Sequence, residues 1–278
     1  MSDALTDRVS ITIENGVADV RLVRTDKMNA LDDAMFLALI EAAEQVSTNK
    51  AVRCVVLSGD GRAFCAGLDM GRMQALADSG DTSNDSDKAN KEPEILGGRD
   101  YGIANRAQQA VWGWRTCPVP VIAAVHGVAF GGGFQLTLGA DIRITHPETK
   151  LAVMEVKWGL IPDMAGTAIM HTLAREDIVR ELTYSGRIFS GTEAKEYGFA
   201  TRLSEDPHSA AMEMAKDIAS KSPDAIREGK KILNSVSELS DAELLLQESV
   251  IQGQLIGSPN QSEAVAAGMQ KRAPNFQD

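Results

Sequence analysis

Three consecutive glycines, Gly131, Gly132 and Gly133, stand between an apolar run and a helical pattern, and they carry the strongest chemical signal in the chain. Glycines at a helix start let the backbone approach a ligand closely and leave first-turn N–H groups aimed at it. The helix dipole adds partial positive charge there. Such a turn suits a bound anion or an oxyanion that develops during reaction, although on its own it reads equally as a tight packing turn. A second turn of this kind follows the run Val52 to Leu57 and extends from Ser58 through Gly59, Gly61 and Gly67 to Met70. Gly59-x-Gly61 comes near a dinucleotide fingerprint, but Phe64 stands where the third glycine belongs. No acid ends a second strand about 20 residues later, so the nicotinamide-dinucleotide reading is weak. The better reading is that the two turns each present one backbone N–H to the same oxygen.

Two acids complete the candidate chemistry. Glu155 and Asp163 lie eight residues apart in a largely apolar stretch, Val153 to Gly166. Burial there would raise both pKa values toward the range useful for proton transfer. Each has a structural alternative: a helix N-cap for Asp163, which follows Pro162, and an ion pair with Lys157 for Glu155. His126, after an apolar run, reads as a buried, hydrogen-bonded core histidine rather than a base, and His146, His171 and His208 have no partner spacing. No Gly-x-Ser-x-Gly elbow is present, which disfavours a serine hydrolase. Cys54, Cys65 and Cys117 lack metal-ligand spacing, so no metal is expected, and Cys54 and Cys117 read as small buried hydrophobes.

The elements that must position these residues are legible in pattern. Val9 to Ile13 and Val17 to Leu22 alternate about Asn15-Gly16, a hairpin signal. Asp32 to Val46 is amphipathic with an acidic start. Helical pattern is expected from Tyr101 to Thr116, where Trp112 and Trp114 read as packing residues. Strands are expected at Val52 to Leu57, Val119 to Val125, Asp141 to Thr145 and Lys150 to Met154. Between the two glycine turns, Ala75 to Glu94 is rich in Asp, Ser, Asn and Lys and reads as a mobile surface loop. Strands alternating with helices predict an α/β core with right-handed crossovers. From Asp206 onward only helices are expected, near Ser209 to Lys221, Asp224 to Val236, Asp241 to Leu255 and Gln261 to Arg272.

The 278 residues are ample for a buried core, and 44% hydrophobic with 24% charged residues is an ordinary globular composition. The net charge of −11 argues against nucleic acid as a partner and disfavours an anionic membrane surface. The N-terminus, Met1 to Arg8, lacks the pattern of a signal peptide, and no run of about 18 apolar residues suggests a membrane span, so a cytoplasmic location is expected.

Met28-Asn29-Ala30-Leu31, Gly59 to Asp69, Pro118 to Ile142, Glu155 to Gly166, Ala194 to Ala200 and Ala264 to Phe276 together resemble the crotonase (enoyl-CoA hydratase/isomerase) superfamily over nearly the whole chain. The resemblance implies a ββα spiral core, here residues 1–205, and a C-terminal α-helical region, residues 206–278, through which trimers or dimers of trimers form. It implies an acyl-CoA thioester substrate, with CoA part of that substrate and no separate cofactor. The thioester oxygen would sit between the N–H groups of Leu68 and Gly132. Backbone around Ala30, Ala66, Leu68, Asp69, Met70 and Gly71 would line the CoA, and Lys271 would meet a phosphate, its alternative being a solvated surface lysine. Hydratases of the family pair two glutamates across the substrate. Glu155 matches the second, but Gln135 stands at the first, and an amide can orient a water without deprotonating it. The Glu155–Asp163 spacing is similar to that of the dienoyl-CoA isomerase branch, which also has an acid where Gln135 stands. Double-bond isomerisation is therefore the favoured expectation, with Glu155 as proton shuttle and Asp163 as second acid/base. Hydration of a 2-enoyl-CoA, or acyl-CoA binding with weak catalysis, are the alternatives.

Overall fold

The computed structural model describes residues 7–79 and 98–278. Its first element is the expected hairpin, β1 (Val9–Glu14) and β2 (Val17–Leu22), paired antiparallel from Val9 with Leu22 to Glu14 with Val17. Asn15 and Gly16 turn it with φ of 50° and 81°, the left-handed pair that Asn-Gly accepts at low cost. From β2 the sheet grows in parallel through β3 (Cys54–Gly59), β4 (Val121–Val125), β6 (Ile142–Thr145) and β9 (Arg202–Leu203), in the spatial order β1-β2-β3-β4-β6-β9. A smaller sheet holds β5 (Val128–Phe130), β7 (Lys150–Ala152) and β8 (Phe189–Ser190), in the order β5-β7-β8. Consecutive strands thus divide between two sheets, β4 and β6 to the larger and β5 and β7 to the smaller, with helices between, giving a mixed α/β fold.

The central strands are buried on both faces, which explains their unbroken apolar runs. On one face Val55 and Leu57 of β3, with Val121 and Ala123 of β4, join the main core around helix α1 (Asp33–Thr48). Met35, Phe36, Leu39 and Ala43 of α1 face that core, and the Asp32 side chain caps its start by accepting from Met35 N at 2.8 Å. On the other face Cys54, Val56, Ile122 and Ala124 meet Ala211, Ala215 and Ala219 of a later helix, Pro207–Ala219. Three small residues at one-turn spacing let that helix lie close on the sheet.

Helix α2 (Met70–Ser79) follows the first glycine turn, so the expected loop from Ala75 begins inside a helix, and its remainder from residue 80 lies outside the described residues. Helix α3 (Arg106–Thr116) starts later than the pattern from Tyr101 implied, because Asn105 and Gln108 form a reciprocal capping box there. Trp114 is fully buried in the core. Helix α4 (Gly132–Leu138) carries the glycines. Its Phe134 ring meets Phe189 and Phe199 edge-on at 5.6 and 5.4 Å, which pins the helix from below.

Helices α5 (Gly166–Leu173) and α6 (Glu176–Ser185) lie between β7 and β8 in the chain, and α7 (Gly191–Tyr197) packs against both strands. Four helices end the chain: α8, the sheet-covering Pro207–Ala219, then α9 (Pro223–Ser235), α10 (Asp241–Leu255) and α11 (Pro259–Gln270). The buried Lys230 of α9 ties it to the sheet by donating to Asp141 Oδ2 at 2.7 Å and to the Val119 carbonyl at 2.9 Å. All three cysteines are free and buried, and burial pushes the Cys54 and Cys65 thiols up to about 12.

Candidate active site

The first turn is held by Asn29. Its Nδ2 donates to the carbonyls of Asp60, Ala63 and Phe64 at 3.0, 2.9 and 3.2 Å, so a single amide gathers the chain after β3. Leu31 then pairs with Leu68 as an isolated parallel bridge. Leu31 N donates to Gly67 O at 2.8 Å, and Asp69 N donates to Leu31 O at 3.0 Å. This pairing uses the groups flanking Leu68 and turns its own N–H away from Leu31. Among the described residues nothing accepts from the Leu68 N–H.

The second turn closes directly on the first. Gly67 has φ of 88°, and a Cβ there would stand 2.5 Å from Phe130 O and 3.8 Å from the Gly132 nitrogen. A Cβ on Gly133 would collide with the Cys65 carbonyl. Gly131, with φ of 51° and ψ of −120°, reverses the chain into α4. Gly131 N is taken by Ala152 O at 2.9 Å, whereas the Gly132 N–H has no acceptor among the described residues. The two glycine turns therefore meet, with two free N–H groups at their junction.

Glu155 flanks this junction: a Cβ on Gly131 would lie 3.3 Å from Glu155 Oε1. Only 9% exposed, Glu155 opens a 3-10 turn, Glu155–Trp158, after β7. Its Oε1 accepts from Gln135 Nε2 at 2.6 Å, while its Oε2 is buried with no hydrogen-bond partner among the described residues. Burial raises its pKa against the lowering pull of its own backbone N–H, the Gln135 hydrogen bond and the Met154 backbone, and the charge of Asp163 adds to the rise. No ion pair with Lys157 forms; that ammonium lies over the Trp158 ring at 5.2 Å instead. Asp163 is exposed by surface area, yet the protein around it desolvates its carboxyl and raises its pKa. It does not cap a helix: α5 starts after Ala165, which has φ of 67° and no side-chain cap.

Gln135 supplies what a cap would have supplied. Its Oε1 accepts from Met164 N and Gly166 N, both at 2.9 Å. With two N–H donors facing one end and a carboxylate the other, only this orientation of the amide satisfies every partner. Its carbonyl end is thus occupied, and the second hydrogen of Nε2 is what the amide has left to orient a water.

The remaining candidates have plainer surroundings. Ala30 is buried, and its carbonyl accepts from Arg24 Nη1 at 3.0 Å. Ala66 N donates to Met28 O at 2.9 Å. Asp69 pairs with Arg24 at 2.8 Å and accepts from Gly71 N at 2.8 Å, fastening the start of α2, while Met70 is 61% exposed. Lys271 is exposed beyond α11, in a left-handed conformation with φ of 52°. His126 is only half-buried, not fully buried as expected, and its ring meets the Gly61 carbonyl at 3.0 Å. Sequence reasoning missed Arg24 and Met164. Met164 Sδ and Leu31 Cδ1 would lie 2.7 and 2.8 Å from a Cβ on Gly132, so they form one wall beside that N–H. Nothing in residue spacing marks either role. Among the described residues no group of acids, histidines and cysteines could hold a metal ion.

This fold, with its paired glycine turns and buried glutamate, defines a crotonase-type protein. The chain belongs to the enoyl-CoA hydratase/isomerase family, whose sequence profile matches residues 12–278. It is similar to the mouse mitochondrial Δ(3,5)-Δ(2,4)-dienoyl-CoA isomerase, 32% identical over 285 residues that cover 98% of this chain and 82% of that protein. The 1,2-epoxyphenylacetyl-CoA isomerase of Escherichia coli (strain K12) is 30% identical over 268 residues, 95% of this chain and 96% of its own. Among solved structures, the enoyl-CoA hydratase of Bacillus anthracis superposes with a TM-score of 0.82 at 27% identity, covering 97% of this chain and 98% of its own.

Proposed function

We propose that the protein moves a double bond within an unsaturated acyl-CoA. The observation that carries this reading is the Glu155–Gln135 pair: one buried carboxylate with a free oxygen, beside an amide whose carbonyl is already engaged. The thioester oxygen lies between the N–H groups of Leu68 and Gly132. Glu155 removes a proton from the α-carbon of a 3-enoyl thioester, the C–H electron pair becomes the enolate double bond, and charge collects on that oxygen. Return of a proton at the γ-carbon, from Glu155 or Asp163, leaves the 2-enoyl thioester with no net change in atoms or electrons. An oxyanion donor contributes about 3 kcal/mol to such a barrier. The CoA runs along Ala30, Ala66 and Leu68 to Gly71, with Lys271 of a neighbouring protomer near a phosphate, and no further cofactor takes part.

The same reading has the helices of residues 206–278 join protomers as a trimer or dimer of trimers. Helix α10 supports it, since it buries no residue while Leu245, Leu246 and Val250 are 61%, 65% and 50% exposed.

Offering 3-enoyl-, dienoyl- and 2-enoyl-CoA to the purified protein tests the reaction. Migration of the double bond is expected. Fast hydration of 2-enoyl-CoA without migration would establish the alternative, water addition, which the hydratase among the structural relatives favours. Tight binding of every thioester without turnover would leave only a binding role.

A further inference from the structure

The three bonds of Gln135 link groups that are far apart in sequence. Its Nε2 reaches Glu155 Oε1 at 2.6 Å, and its Oε1 takes the N–H groups on both sides of Ala165 at 2.9 Å each. Ala165 is a left-handed alanine, a conformation that L-residues resist unless their surroundings enforce it. Here one carbonyl oxygen enforces it from both sides. The fit is tight, because a Cβ on Gly166 would stand 2.5 Å from that oxygen. Asp163 lies immediately before the first of the two donors. One buried amide therefore sets the free oxygen of Glu155 and the turn that carries Asp163 in a single frame.

A carboxylate at position 135 would keep the length of the side chain and change its chemistry. Two carboxyl groups would then face each other where an N–H now meets an oxygen, and they would share a proton. An aliphatic side chain would leave two buried N–H groups unpaired and Glu155 unsupported.

We propose that Gln135 is a positioning residue, whose amide locks Glu155 to the turn that carries Asp163. The proposal rests on the double-bond migration argued above. The test compares the intact chain with Gln135→Glu and Gln135→Met. In both variants kcat for double-bond migration is expected to fall at least tenfold with KM little changed. Carbon-13 NMR titration of the Glu155 carboxyl, assigned against Glu155→Gln, is expected to move upward in both variants, since each loses the donor at Oε1. This second readout needs no turnover. An unmoved Glu155 titration in a folded Gln135→Glu protein overturns the positioning role. An unchanged kcat in both variants overturns it as well. A parent protein that migrates no double bond, but whose Glu155 titration shifts as expected, overturns the proposed reaction and leaves the positioning role standing. Should Gln135→Met fail to fold, the nearly isosteric Gln135→Glu carries the experiment.

Discussion

Glu155 has one carboxylate oxygen held by Gln135 and one that is buried and unpartnered. Burying a carboxylate so incompletely paired works against stability and suits the proposed proton transfer. Its folded pKa is raised, so the folded protein holds that proton more tightly than the unfolded chain does. This contribution to stability is fully present below the ordinary glutamate pKa and is lost as pH rises toward the raised value. Glu155→Gln should therefore raise Tm at pH 7, with the gain vanishing below about pH 4, as measured by thermal unfolding across pH. The same substitution should lower kcat by about 10²- to 10⁴-fold in a steady-state assay. In the parent, kcat/KM should fall on the acid side at a pH above the ordinary glutamate value, because in the proposed reaction Glu155 must be ionised to accept the proton. Both Glu155 and the departure at Gln135 are legible in sequence, since residue type and motif position suffice. The bonds of Gln135 to Met164 and Gly166 are not, because they join segments that only the fold brings together.

Among the elements, short-range chemistry was readable and long-range pairing was not. The Asn15-Gly16 hairpin and the Asp32 cap of α1 follow from adjacent residues. Strand β5 was passed over because its three residues are defined by pairing with β7, about twenty positions on. The Asp163 cap failed for a related reason: a remote amide had already satisfied that helix start. Gly67 shows how closely the elements constrain one another. Gly67→Ala would place an L-residue at φ of 88° with its Cβ against Phe130 O, displacing Leu68 from the junction. It should cost about 2 kcal/mol or more of stability, seen in urea unfolding. Catalysis should fall by about 10²-fold through loss of an aligned oxyanion donor, while the acid limb of the pH profile stays in place.

For the whole molecule, the α/β order and the helical C-terminus were both visible in pattern, and the strands reveal why. Those buried on two faces cannot alternate, and a chain that ends in four helices has no strand signal to give. What periodicity does not convey is which helix is spoken for. Helix α8 covers the sheet, whereas α10 keeps Leu245 and Leu246 outward. Light scattering coupled to size exclusion should give a mass that is a multiple of three protomers of 29.8 kDa. Leu245→Glu combined with Val250→Glu should reduce it. A monomeric parent would sink the proposed assembly.

The lone oxygen of Glu155 also bears on the fate of an individual hydrogen. A proton that arrives there has no hydrogen-bonding neighbour among the described residues to receive it. Its readiest exit is back to the bound thioester, at the next carbon within reach. Deuterium carried on the α-carbon should then reappear at the γ-carbon of the product made in ordinary water. The site would act as a ferry that remembers its passenger, and the isotope content of the product, read by mass spectrometry, would record how often it leaves empty.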